Sequence, residues 1–193
     1  MSASIDLPGF ADPVTDAQAT FRAVLDAMAR PGTIHCAGAC LAAPAPLNRA
    51  TAAVLLTLVD HETPLWLDAD AAQAHDWLAF HCGAGMVHDP NAAHFAVVLS
   101  LPDLTQFSAG SHEAPEGGAT LVLQVPALGS GSHYRLSGPG LREPKDLFVS
   151  GLSSRFVVQW QQNRALFPRG VDMVLCAGTT LTALPRSVSI EEG

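Results

Sequence analysis

The sequence predicts an α/β fold, a mixed sheet with helices on both faces, and three observations point there. Helical and strand patterns alternate along the 193 residues, several strand patterns are apolar on both sides, and 48% of residues are hydrophobic. A strand apolar on both sides needs cover on both sides, which a three-layer α/β/α arrangement supplies. The length suits one domain with a substantial core. No linker, repeat or low-complexity tract divides it, so residues 1–193 are expected to form a single domain, with 1–12 as a flexible N-terminal segment.

The elements follow in order. Thr15 or Asp16 is placed to cap a first helix, Phe21, Val24, Leu25 and Met28 fall on one face, and Pro31-Gly32 stops it. A short strand over 33–36 and an Ala/Pro loop come next. Pro46 suits a first helical position, and 47–59 reads as a helix apolar nearly all round, hence buried between layers. Residues 63–67 form a strand, 69–80 a helix ending near Gly83, and 94–99 a continuous apolar strand. A polar, glycine-rich loop spans 109–118. Strands at 120–125 and 134–137 flank a turn at Gly129-Ser130-Gly131. The last long helix covers 152–166. Pro168 and Gly170 end it, and 171–176 and 181–184 make a hairpin around Gly178.

Composition excludes several functions. Charged residues are 15% of the chain, well below the usual share of about a quarter. So sparse a charged surface favours a buried subunit interface, and a homodimer is expected. A formal charge of -8 argues against wrapping nucleic acid or binding anionic lipid. No apolar run reaches membrane-spanning length, and residues 1–6 lack the basic and apolar regions of a signal peptide, so a cytoplasmic location is expected. Cys36, Cys40, Cys82 and Cys176 show no CxxC spacing, and reduced, buried thiols are expected.

Tests for standard catalytic motifs fail. GxxxxGK[ST], GxGxxG after a strand, GxSxG and HExxH are all missing. Gly129-Ser130-Gly131 and Gly117-Gly118 both precede strands, so no helix N-terminus would face an anion there. His35 and Cys36, with Cys40, carry ligand-type groups, but neighbours on a strand point to opposite faces. His81, Cys82, His88 and His94 could converge, yet scattered loop histidines are the commoner outcome, and no metal is expected. Cys176 lies in an apolar strand and reads as a core thiol. Lys145 is the only lysine. It stands in the polar connection Glu143-Pro144-Lys145-Asp146, expected to be mobile and exposed, whereas Schiff-base chemistry needs a dry, rigid pocket. No cofactor is expected.

Six charged residues remain as candidates for function or interface. Asp60 follows a helix C-terminus, where negative charge is unfavourable, so a partner such as an arginine across an interface could hold it. Arg49 sits in the first turn of a buried helix, a poor place for a cation, which invites a carboxylate or phosphate partner. Glu116 lies in the glycine-rich loop. Arg169 and Asp172 stand at the turn before the last hairpin, and Arg186 follows its second strand. The two arginines are expected at opposite ends of the hairpin, each more suited to a structural salt bridge than to an anion site.

The block Phe167-Pro168-Arg169-Gly170-Val171-Asp172, continuing to Leu184-Pro185-Arg186-Ser187, resembles the C-terminal signature of the PhnH family, a subunit of the bacterial carbon–phosphorus lyase core complex. Earlier blocks continue the resemblance in order. They are Asp16-Ala17-Gln18 with Phe21-Arg22 and Pro31-Gly32; Leu47-Asn48 with Asp60, Thr63-Pro64 and Trp66-Leu67; Phe80-His81; Ala114-Pro115-Glu116 with Gly118–Leu121; and Leu136–Gly140. Together they run from residue 16 to 187. The resemblance implies a shortened version of the pyridoxal-phosphate-dependent transferase fold without its cofactor. It also implies a homodimer that joins the PhnG, PhnI and PhnJ subunits. The assembly displaces adenine from a purine nucleoside triphosphate by an alkylphosphonate, giving ribose 1-phosphonate 5-triphosphate, before a radical step on an iron–sulfur subunit. The cysteines of this chain lack a cluster-binding arrangement. The family transfers no catalytic residue onto these positions.

Two functions compete on this basis. One is an assembly subunit of a phosphonate-processing complex, without stand-alone catalysis. The other is a free-standing small-molecule enzyme with a dimer-interface pocket using Asp60, Glu116 and Arg169. The sparse charge and missing motifs favour the first.

Overall fold

A computed structural model describes residues 6–193. The chain is α/β, with a seven-stranded mixed sheet in the order β1-β9-β8-β5-β4-β2-β3. Its strands are β1 (His35–Cys36), β2 (Pro64–Leu67), β3 (Gly85–Met86), β4 (Phe95–Val98), β5 (Thr120–Gln124), β8 (Asp172–Ala177) and β9 (Thr180–Leu184). Neighbours from β3 to β8 run parallel, while β8–β9 and β9–β1 are antiparallel. Both outer strands are two residues long, which leaves little unpaired edge.

Period-two alternation divides the sheet between two cores. Val122, Val174 and Cys176 turn to one face, beneath α1 (Pro13–Ala29), α2 (Arg49–Leu58) and α3 (His75–Cys82). Leu121, Leu123, Met173 and Leu175 turn to the other. That second face is not a plain helical layer. A three-stranded antiparallel sheet of β10 (Ser189–Glu192), β6 (Ala127–Ser137) and β7 (Lys145–Ser150) shares it with α4 (Phe156–Arg164).

This extra sheet occupies the stretch read as a turn and a mobile connection. Gly129-Ser130-Gly131 is no hairpin turn. It is a bulge inside β6, where Leu128 and Ser132 both face Val149. Glycine is required because φ is 84° at Gly129 and 103° at Gly131. Lys145 opens β7 opposite Leu136 and is half-buried, not mobile and exposed.

Helix boundaries also differ from expectation. Asp12, not Thr15 or Asp16, caps α1, its carboxylate accepting from the Thr15 N–H at 3.1 Å. The buried face of α1 is Thr20, Ala23, Val24 and Ala27, while Phe21 and Leu25 are exposed. Small residues let the helix lie close on the sheet and turn the bulky ones outward. Asn48 caps α2 and accepts from Thr51 N–H at 2.8 Å, which places Pro46 outside the helix. Of the segment expected to be flexible, residues 1–5 lie outside the described residues. From Leu7 onward the chain is anchored: the Leu7 carbonyl accepts from Trp77 Nε1 at 2.9 Å and His81 Nε2 at 3.0 Å.

Candidate functional site

Antiparallel pairing of β8 with β9 puts Met173 opposite Leu184, so the residues just outside them meet at the open mouth of the hairpin. Asp172 falls opposite Pro185 there, with Arg186 the next residue along. The backbone N–H of Arg186 donates to Asp172 Oδ1 at 2.7 Å, and Nε reaches both carboxylate oxygens at 3.1 Å. Nη2 donates to Oδ2 at 2.5 Å, a fork-to-fork geometry that only arginine provides. The side chains are 13% and 21% exposed, so the pair is largely withdrawn from water. Arg186 therefore takes the structural salt bridge expected of it. Arg169 and Arg186 do not sit at opposite ends of the hairpin, because the entry of its first strand adjoins the exit of its second.

The remaining arm of Arg186 ties in the glycine-rich loop. Nη1 donates to the Pro115 carbonyl at 2.6 Å. Ala109 and Gly118 bridge the loop's two ends, and the Gly170 N–H donates to the Ala109 carbonyl at 2.8 Å. At Gly118 a Cβ would strike the Gly170 carbonyl and meet Arg186 Nη1 at 2.7 Å. Three separate chain segments thus converge on one guanidinium. Glu116, in the single turn Pro115–Gly117, projects into solvent beside this junction without pairing to it.

Among the described residues no carboxylate lies within ion-pair distance of Arg169, and none of these residues supplies a hydrogen-bond partner to its buried Nε. Its backbone is nonetheless fixed. Asn163, buried at the end of α4, donates Nδ2 to the Val171 carbonyl at 2.9 Å and accepts the Val171 N–H at 2.8 Å. Sequence reasoning passed over Asn163, although a buried asparagine before a Pro/Gly turn is a recognisable fastener. Beside it a cavity of about 320 Å³ opens between α4 and the segment 104–109 that follows β4, lined by Leu104, Phe107, Leu166 and Val171 together with Gln159 and Gln162.

This corner is built largely from two of the blocks that carry the resemblance, 114–121 and 167–187, and comparison with known proteins agrees with the resemblance. A family model described as bacterial phosphonate metabolism protein (PhnH) matches residues 8–191. The chain belongs to the PhnH family. It is similar to alpha-D-ribose 1-methylphosphonate 5-triphosphate synthase subunit PhnH of Rhizobium meliloti (strain 1021), at 42% identity over 187 residues and 94% of each chain. It is also similar to putative C-P lyase subunit protein HtxG of Stutzerimonas stutzeri, at 43% identity over 81 residues and 42% of each chain.

The other candidate residues of this PhnH-family chain lie apart from the corner. Arg49 is exposed and, among the described residues, donates only to the Ala39 carbonyl, at 3.3 Å, with no carboxylate answering it, and its helix start is not dry. Asp60 is held locally, not by an arginine of the described residues. The Thr63 hydroxyl donates to it at 2.8 Å and the Glu62 N–H at 3.0 Å. Those two bonds, the Thr63 one foremost, hold its carboxyl below the usual carboxylate range. Among the described residues no three metal-ligating side chains converge. His88 and His94 are exposed, while His81 is engaged by Leu7. Cysteine burial is uneven. Cys36 and Cys40 are exposed, contrary to expectation, because the loop around Gly38 lies at the surface. Cys176 is buried as expected, and burial pushes both its thiol and that of Cys82 up to about 12.

Parallel α/β sheets bind ligands in the crevice beyond the carboxyl ends of their strands. Here the protein's own polar groups fill that edge. Asp68, after β2, accepts from Ala71 N–H at 2.8 Å and from Leu99 N–H at 2.7 Å across at β4. Gln124, at the end of β5, accepts from the Asn48 N–H and donates to the Pro46 carbonyl at 3.1 Å. The residues of the C-terminal signature block gather at the opposite edge, where β5 and β8 begin.

Proposed function

We propose that this protein is the PhnH subunit of a carbon–phosphorus lyase core complex and that it acts in phosphonate catabolism. Similarity over 94% of both chains to a ribose 1-methylphosphonate 5-triphosphate synthase subunit carries this reading. In the reaction, an alkylphosphonate oxygen bonds to the anomeric carbon of ATP, the bond to adenine N9 breaks, and adenine leaves. The chain's role is to shape the assembly. It forms a homodimer and joins PhnG, PhnI and PhnJ in the cytoplasm, with no cofactor of its own. Its seven-stranded sheet is a shortened and modified form of the pyridoxal-phosphate-dependent transferase architecture. Two observations support an architectural role: the engaged polar groups at the carboxyl edge, and the signature residues locked into a junction of loops at the other.

Co-expression with the other three subunits tests the reading. The full set should release adenine from ATP in the presence of methylphosphonate. Omission of this chain should abolish that release, and the chain alone should yield none. Adenine release by the isolated chain would replace the architectural reading with a catalytic one. Sedimentation of the isolated chain at micromolar concentration should show a dimer, and monomer alone would remove that part of the proposal.

A further inference from the structure

The chain is acidic overall, yet its charge is unevenly distributed. Residues 147–171 contain Arg155, Arg164 and Arg169 and not one of the eighteen Asp and Glu residues. The Asp103 carboxylate is held below the usual range chiefly by the Thr105 hydroxyl and N–H, with Arg155 nearby adding a smaller attraction. For Arg164 and Arg169, no carboxylate of the described residues is within ion-pair distance. Between these two unanswered cations stands Phe167, 61% exposed, preceded by Leu166 at 38%. Leu166 rims the cavity of about 320 Å³ under α4, and Phe167 and Arg164 line a second one of about 300 Å³. An exposed aromatic beside Arg164 and a largely apolar cavity rimmed by Leu166 have the composition of an interface anchor. Arg169 is half-buried with no carboxylate of the described residues in reach, so a carboxylate supplied from outside to its guanidinium would offset a desolvation cost.

We infer that the Leu166–Phe167–Arg169 corner is a docking surface for an acidic segment of a neighbouring, different subunit, one that presents a carboxylate to Arg169 and an apolar side chain to the cavity beneath α4. Charge selects that occupant. A second copy of this chain would bring a net charge of -8 against the same, whereas a local cluster of arginines is satisfied by carboxylates on a partner. The backbone is ready for the contact, because the Arg169 N–H donates to the Leu166 carbonyl at 3.0 Å, and the next two residues, Gly170 and Val171, are bonded to Ala109 and Asn163. The inference rests on the complex reading above and names the face that reading leaves open.

The test uses the full chain and the assembled remainder of the core complex, with affinity measured at several salt concentrations. Wild-type protein should bind, and binding should weaken as salt rises. Arg169→Glu combined with Phe167→Ser should raise Kd on the order of 30-fold. Phe167→Ser alone, at an exposed position, keeps the test sound if the double variant folds poorly. Phe80→Ser, altering an even more exposed aromatic on α3, should change nothing. If wild-type protein does not bind the remainder at all, the complex reading falls and takes this inference with it. If wild-type protein binds and the corner variants bind equally well, this inference alone is wrong. It is also overturned if the corner variants dissociate the homodimer instead, or if they lose ATP binding while assembling normally.

Discussion

Two arginines stand at the mouth of the β8–β9 hairpin, and they differ in what answers their charge. Arg186 spends its guanidinium on Asp172 and the Pro115 carbonyl and is 13% exposed. Arg169 is equally fixed in its backbone, yet its Nε is buried with no acceptor. Both belong to the same signature block, so residue type and sequence position do not separate them. Partners do. A charge already neutralised by a bidentate carboxylate holds loops together and is unavailable to another molecule. A charge left unanswered in a well-ordered segment is available for recognition. The comparison teaches that one short motif can contain a staple and a contact side by side.

The largest effect expected from breaking this contrast is on the staple. Asp172→Ala leaves Arg186 unpaired and mostly buried, and should cost about 3 kcal/mol. For a chain of this size that lowers Tm by roughly 6–12 °C in calorimetry. Asp172→Ala with Arg186→Met should recover much of the loss, since removing both charges is far milder than stranding one. If the double variant is no better than the single one, the pair is not what joins the loops. Gly118→Ala should follow, at about 2 kcal/mol, because the new methyl meets the Gly170 backbone as well as Arg186. Backbone cannot give way as a side-chain tip can. A Tm equal to wild type would show that the loop shifts freely.

Much of this architecture is legible in the sequence because it rests on period and punctuation. The β8–β9 hairpin, α2 and the parallel strands announce themselves as apolar runs bounded by Gly, Pro and Asn. The second sheet is not legible in the same way. Its β6 strand carries two glycines that signal a turn by every local rule, and only pairing to Val149 makes them a bulge. The α1 face is misread for a related reason. Phe21 and Leu25 look like core, but Thr20, Ala23, Val24 and Ala27 lie closer to the sheet, and small residues win where backbones approach. At the candidate site the residues are legible and the pairings are not. Asp172 and Arg186 are fourteen positions apart, and an antiparallel register is needed to bring them together.

Asp60 gives a smaller effect and a pH dependence. Its carboxylate is stabilised by Thr63 and Glu62, so its pKa is depressed in the folded chain. That stabilisation is complete above the ordinary carboxylate pKa and is lost as pH falls through the lower folded value. Asp60→Ala should therefore loosen the turn after α2 at neutral pH, with a smaller drop in Tm than Asp172→Ala. The difference from wild type should vanish in strong acid. A carboxyl resonance titrating at the ordinary pKa would contradict the local hydrogen bonds. The loss of Tm should be unchanged by salt, which separates this local cap from an ion pair.

Arg169→Ala is expected to have the smallest effect on stability of all, and that is what makes it informative. The substitution removes a charged group whose Nε has no acceptor, which relieves a desolvation cost, and it also removes the packing of the aliphatic stem. The two terms oppose each other, so the net change should stay within about 0.5 kcal/mol and Tm within roughly 2 °C. Affinity for the rest of the complex should fall at the same time. A residue that holds the fold loses both together, as Asp172 should. A residue that only meets a partner loses one. If Arg169→Ala instead lowers Tm by 5 °C or more, Arg169 has an internal partner in solution. Glu116, the exposed carboxylate of the neighbouring loop, is then the first to test, and Glu116→Gln should reproduce the loss.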